Sequence, residues 1–446
     1  MSVMTVQQRL DLAWKQFDPL RPVPQDDPDG WYQDLSEVRA VGDFGRQIAR
    51  RIERQADRPQ RLLVLGHRGC GKSTELGRLC QRLEQSGFRC AVVRTDEHLD
   101  VNDLDLIEIQ VLLVEQLGRL LGDLKLELPE ALLTRLRAWF TEEEVTREVK
   151  RSASADLGAG AGGEAPSLMG LVFSKLIPQF KANLRLSAEH RATFREKVRK
   201  QLRDFVGVVS DVVREAKGRL QVADFKGLVL IVDGVEKAAQ SADGRQRVSR
   251  ILLEQAEQWN QLDAPLVLTG PLDLFTENIR LQNLYDAFFL MPAVPVAPRP
   301  GHEADTAAYA NAGRGLLRAL IDRRTPAADI FEDEASIEVL IQASGGSIRD
   351  LFRLLRNAID SAEDRLIGAK DVQHALKLQR LSFEPAVLLS DREPLQRLAA
   401  DPVAFDHSKV GVSLLQRELV IPYSNGGTWF ALHPAVRRLV LGEHAG

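Results

Sequence analysis

Cysteine is scarce in this sequence. Cys70, Cys80 and Cys90 are an odd set spread over strand-, helix- and loop-like stretches, with no Cys or His at a zinc spacing. A disulfide framework and a zinc finger are therefore excluded, and free thiols in a reducing compartment are expected. Long hydrophobic runs are missing too. No stretch approaches the roughly 18 uninterrupted apolar residues of a spanning helix, so no membrane partner is expected. The opening MSVMTVQQRLDLAWKQF carries Asp11 and polar residues where a secretory leader needs an apolar core, which points to a cytoplasmic protein. Nor is there a strong excess of either charge. A formal net charge of −4 gives no field to hold a polyanion, so any nucleic-acid contact requires a local patch. Internal repeats and a guanine-reading N-K-x-D signal near the last strands are also absent.

What is present is length and order. At 446 residues the chain exceeds one ordinary domain. Residues 1–35 form a polar, Pro-rich arm, and from Ser36 the spacing of Val38, Val41, Phe44, Ile48 and Ile52 predicts a helix. Arg61–Gly66 and Phe88–Thr95 read as strands, with a helix over Lys72–Ser86 between them and helical sequence from Val101 to Phe140. The Gly- and Ala-rich stretch 151–166 cannot build a packed element and predicts a loop. Helices follow over Ser167–Phe180 and Ala188–Lys217, so residues 120–222 read as a helical insertion. Leu228–Asp233 is a continuous apolar run ending in a carboxylate, as a strand buried on both faces should be. Leu266–Thr269 and Phe288–Pro292 resemble further central strands. The pattern is helical from Asp305 to Gln379, and Asn425-Gly426-Gly427 between two β-prone runs predicts a tight hairpin. The expected division is an arm (1–35), an α/β core with a parallel sheet (36–300), a helical lid (301–380) and a winged-helix-like module (381–446).

Chemistry concentrates in Gly66-His67-Arg68-Gly69-Cys70-Gly71-Lys72-Ser73, which fits G-x-x-x-x-G-K-[ST] and stands between an apolar strand and a helix. Glycines let the backbone turn N–H groups toward phosphate oxygens, the helix adds its positive end, Lys72 reaches the outer phosphates and Ser73 can ligate Mg²⁺. The nucleotide-binding set is taken as Gly66 to Ser73 with Thr74. Asp233, at the end of LVLIVD, supplies the second metal-side group. Thr269 either reaches the γ-phosphate or the attacking water, or caps a strand end. Cys70 is either a thiol activated by the loop's positive N–H groups or a small residue that fits.

Together these residues resemble the AAA+ and STAND-like P-loop ATPases. More narrowly, GHRGCGKSTELGRL is similar to the GHRGSGKSTEL-type loops of a bacterial group often found near anti-phage defence genes. The resemblance implies ATP with Mg²⁺. It makes Arg349, in Gly345-Gly346-Ser347-Ile348-Arg349, the lid arginine that senses the γ-phosphate; the alternative, with Arg353 and Arg356 nearby, is that Arg349 is an arginine on a solvated helix face. It places Arg280 where an arginine finger is offered to a neighbouring subunit, or as one surface arginine among many. Tyr32 and Asp34 would pack near the base. Many such ATPases follow the Mg²⁺ aspartate with a second acid, whereas here Gly234 stands there and Glu236 is the nearest carboxylate. Glu236 is either the base that replaces that acid or a surface residue paired with Lys237, so slow hydrolysis is expected.

The outer parts carry less. Arg191, Arg195, Lys197, Arg199, Lys200 and Arg203 form a basic run that reads as a solvated helix face or as a phosphate site. Residues 381–446 hold six Lys or Arg against seven Asp or Glu, a balance that disfavours non-specific DNA binding and suits a protein-contact role. The expected function is an ATP-dependent switch of a defence system, in which lid closure through Lys72, Asp233 and Arg349 controls a homo-oligomer or an effector protein. The alternatives are a DNA-associated loader or motor using the C-terminal module, and a structural subunit that binds nucleotide without cycling.

Overall fold

The computed structural model describes residues 4–39, 42–55, 58–140, 168–238, 242–402, 405–424 and 427–442. The Gly/Ala-rich stretch 151–166 and the Asn425-Gly426 turn lie outside them.

The apolar runs become five parallel strands: β1 (Arg61–Gly66), β2 (Phe88–Arg94), β3 (Gly227–Asp233), β4 (Leu266–Gly270) and β5 (Ala287–Met291), in the order β2-β3-β4-β1-β5. Every residue of β1, β3 and β4 is buried, because helices cover both faces of the sheet. The pleat sorts the side chains between two cores. Leu62, Val64, Val229, Ile231 and Val267 pack with the helices Phe44–Arg54 and Lys72–Gln85. Leu63, Leu65, Leu230, Val232 and Leu268 face the opposite layer, where Leu106–Asp123 and Leu202–Val222 lie. This is an α/β P-loop NTPase fold. Because β4 lies between β1 and β3, the C-terminal ends of these three strands meet in the crevice where an open α/β sheet takes its ligands.

The helix expected from Ser36 starts at Phe44, where the Asp43 side chain accepts the Arg46 N–H and supplies the cap. Among the helices between β2 and β3, Phe140, Phe180, Phe194 and Phe205 form a chain of ring contacts. The inward side of the basic run is committed internally. Arg191 pairs with Asp100 and Asp103, and Arg195 with Asp103 and Glu108, which stitches helix Ala188–Lys200 to the segment leaving β2.

Helices Glu303–Asp322, Glu334–Ala343, Ile348–Ala362 and Ala369–Phe383 build a second body. The arm, here continuing to Arg39, belongs to its core, since Leu10, Ala13, Phe17, Leu35 and Val38 pack with Leu317, Leu351 and Leu355. The last segment holds helices Arg392–Ala400 and Lys409–Gln416, an antiparallel pair β6 (Val420–Tyr423) and β7 (Trp429–Leu432), and helix Pro434–Leu441 around its own apolar cluster. Trp429 and Phe430 are buried there and in the adjoining cluster, so they are core groups. No helix among the described residues is long and apolar enough to cross a membrane.

Candidate nucleotide site

The loop after β1 turns through two left-handed glycines, Gly69 (φ 76°) and Gly71 (φ 99°), before helix Lys72–Gln85 begins. Gly69 has a second reason to lack a side chain. A Cβ there would stand 2.1 Å from that of Arg349, because the start of helix Ile348–Ala362 rests on the loop. The peptide N–H of Arg349 donates to the Gly69 carbonyl at 3.3 Å.

Lys72 is 4 % exposed, and its ammonium donates to the carbonyls of Gly66 and His67, each at 2.8 Å. It also lies 3.1 Å from Glu236. Burial alone would lower its pKa, but the Glu236 carboxylate more than offsets that and holds it above the ordinary lysine value. Ser73 neighbours the Asp233 carboxylate and favours its charged form, while Asp233 Oδ1 is buried without a partner among the described residues. Burial, reinforced by the Glu236 charge, pushes Asp233 up to about 6.

Glu236 reaches the site because the chain turns immediately after Asp233. Gly234 has φ 91°, and the 3₁₀ turn Val235–Ala238 brings the Glu236 side chain back under the loop. It is buried and accepts the Thr269 hydroxyl at 2.6 Å, while Thr269 Oγ1 accepts the Gly234 N–H at 2.9 Å. Burial favours the protonated acid, yet Lys72 and Thr269 hold Glu236 below the ordinary carboxylate range. Lys237 pairs with Asp96 instead, so the surface pairing of Glu236 with Lys237 does not form. Arg68 donates to the carbonyls of Glu236 and Lys237, at 3.2 and 2.5 Å.

A cleft of about 910 Å³, open to solvent, runs from this loop between the arm and the helical body. Arg68, Gly69, Cys70, Gly71, Lys72, Ser73, Thr74, Glu236 and Arg349 all line it, whereas Gly66 and His67 line the adjoining cavity toward the C-terminal segment. Thr269 and Asp233 lie beneath, at the strand ends. Arg349 faces the cleft, with Nε bonded to the Pro19 carbonyl at 3.3 Å. Arg353 pairs with Asp350, and Arg356 lies over the Trp14 ring. Arg280 is exposed, away from the cleft. Tyr32 lines the cleft, bonded to Glu75 and covered by Arg78, while Asp34 is exposed outside it. Cys70 is buried with its Sγ against Gly66, a packing group under the loop.

Sequence reasoning missed most of the far wall. Pro19, Pro22, Trp31 and Arg39 from the arm, with Arg324 and Phe352, complete the cleft. The arm's one available signal was DPLRPVP, where prolines preset an extended backbone suited to a strap. Arg324, stacked on the rings of Trp31 and Phe352, has no local signature at all.

The residues present fit a nucleotide phosphate and a divalent cation. The loop offers backbone N–H groups at a helix start, and Ser73 with the unsatisfied Asp233 oxygen offers hard oxygen donors of the kind Mg²⁺ takes. Glu236 and Thr269 add a carboxylate and a hydroxyl at the same strand ends.

No protein-family model matches the chain, and no curated protein does. Among solved structures it is similar to the Walker-type ATPase PABY2304 of Pyrococcus abyssi, with a TM-score of 0.43 and 13% identity over 96% of this chain and 99% of that one. It is also similar to Cdc6p from Pyrobaculum aerophilum, with a TM-score of 0.38 and 11% identity over 96% and 98% of the two chains.

Proposed function

We propose that the chain is an ATP-binding molecular switch in which the phosphate loop is read by the helical body and by the C-terminal segment together. One observation carries this reading: the loop is bonded to both at neighbouring residues. Gly69 accepts the Arg349 N–H from the helical body, and the His67 ring donates from Nε2 to the Val420 carbonyl of β6 at 2.8 Å. The C-terminal segment in turn grips the helical body, through the Tyr423 hydroxyl on the Gly345 carbonyl at 2.7 Å and His433 at 3.6 Å from Asp350. A phosphate that draws Lys72 from the Gly66 and His67 carbonyls acts on the loop between these two contacts, which is the differential interaction a switch requires.

Lys72 and the loop amides would hold the phosphates, Ser73 and Asp233 the Mg²⁺, and Arg349 would report the γ-phosphate from the lid. When bound, the cation neutralises phosphate charge. Glu236 would take the place of the missing second acid and position or deprotonate the attacking water, with Thr269 orienting it. While Lys72 and Thr269 occupy that carboxylate, hydrolysis is slow, so the nucleotide state persists long enough to control an oligomer or an effector protein. The loop resemblance makes anti-phage defence the proposed setting.

Phosphate release by wild type, Lys72→Ala and Glu236→Ala, each with and without duplex DNA, tests this. Slow release lost in both variants and indifferent to DNA supports the switch. Release accelerated by DNA favours the loader, and tight ATP binding with no release in wild type favours a subunit that does not cycle.

A further inference from the structure

The arm sends one side chain to the phosphate loop that no phosphate-binding motif contains. Leu35 and Val38 are buried in the core shared by the arm and the helical body, so the backbone leading to Arg39 is fixed to that body. Arg39 itself is 4 % exposed. Its Nη2 donates to the Cys70 carbonyl at 2.6 Å, its Nε has no partner among the described residues, and the side chain lines the cleft. Its charge opposes the rise that burial imposes on Glu75, one turn into the loop helix.

A trans peptide is a rigid plane in which C=O and N–H point in opposite directions. Holding the Cys70 carbonyl therefore fixes the direction of the Gly71 N–H, a donor at the start of the loop helix. The preceding carbonyl, that of Gly69, is held by the Arg349 N–H. Two successive loop carbonyls are thus tied to one body, and the N–H groups that follow them are preset rather than left to find the anion. Glycine-rich loops with φ 76° and 99° lose much conformational entropy when ordered, so presetting them before the ligand arrives strengthens binding.

We propose that Arg39 is a positioning residue of the phosphate loop: by holding the Cys70 carbonyl it orders the loop for a nucleoside polyphosphate and couples nucleotide occupancy to the arm and the helical body. This rests on the nucleotide reading above. A guanidinium suits the task because its planar donors are fixed relative to one another, whereas a lysine offers a flexible point charge.

The test uses the full chain. Without nucleotide, Arg39→Ala is expected to speed hydrogen exchange of loop peptide 66–74 about tenfold, the scale of one hydrogen bond to a charged group, and to leave the β3 peptide 227–233 unchanged. With Mg·ATP, its Kd is expected to rise about tenfold on the same scale, with Arg39→Lys in between. Unchanged loop exchange, or an equal rise in loop and β3, overturns the proposal. The exchange result decides the loop contact even if wild type binds no ATP, an outcome that would sink the nucleotide reading separately.

Discussion

The ammonium of Lys72 lies 3.1 Å from the carboxylate of Glu236, and the two side chains are only 3 % and 5 % exposed. The loop lysine is therefore spent inside the protein, on two carbonyls and one carboxylate. On the proposed reading, an incoming phosphate must draw Lys72 away and thereby release Glu236, so ligand binding itself frees the acid.

Removing one partner of such a pair leaves a buried charge uncompensated, at a cost of about 3–5 kcal/mol. Lys72→Ala is therefore expected to lose nucleotide binding and also to lower stability on that scale. The double variant Lys72→Met/Glu236→Gln should regain most of the stability and none of the binding. Denaturant melts alongside ATP titration check both halves, and a fully stable Lys72→Ala protein contradicts the buried pair.

Asp233 gives a pH signature. Its folded-state pKa, about 6, lies above the ordinary 3.8, so the folded protein keeps a proton that the unfolded chain releases. Its contribution is fully present below the unfolded value and is lost as pH rises from about 4 through 6. Asp233→Asn, which carries no charge to desolvate, should gain about 1–3 kcal/mol over wild type above that window and little below it. Mg²⁺ competes with the same proton. Its affinity in the presence of ATP should fall about tenfold per pH unit below 6 in wild type, a dependence missing from Asp233→Asn.

Gly234 is a conformational requirement. At φ 91° a side chain is strained, and a Cβ would stand 2.9 Å from both Asp96 and Thr95. Gly234→Ala is expected to cost roughly 1–3 kcal/mol. Gly234→Glu, which puts an acid directly after Asp233, should slow phosphate release rather than speed it, because the turn that delivers Glu236 is lost. Faster release by Gly234→Glu than by wild type would refute this account.

How much was legible in advance follows from how local each signal is. The phosphate loop and the run ending in Asp233 could be read because each is written in consecutive residues with a fixed mechanical reason for every type. The sheet order was not readable that way, since placing β4 between β1 and β3 depends on pairings across distant segments. Glu236 was ambiguous for a related reason. Only the positive φ of Gly234 decides whether its carboxylate points to solvent or under the loop. Arg39, Trp31 and Arg324 were invisible because their partners are remote in sequence and their types are common on surfaces.

The C-terminal hairpin offers the sharpest test of the switch. β6 presents the Val420 and Pro422 carbonyls to the His67 ring and the Ala293 N–H, at 2.8 and 3.1 Å, and its Tyr423 hydroxyl reaches Gly345. Burial holds the His67 pKa below its ordinary value, so the ring is neutral at pH 7 and, facing a carbonyl that can only accept, carries its proton on Nε2. On the proposed reading, a ring set this way would transmit loop movement to β6 as a geometric constraint. In wild type, Mg·ATP should change hydrogen exchange across residues 420–432; in His67→Ala the nucleotide should still bind and leave that exchange as it was. Tyr423→Phe removes one neutral hydrogen bond from the far side of the hairpin, about 1 kcal/mol. It should loosen the segment with and without ATP and leave the ATP-dependent difference in place. If His67→Ala responds to ATP as wild type does, the signal does not pass through the loop histidine, and the C-terminal segment follows the helical body alone.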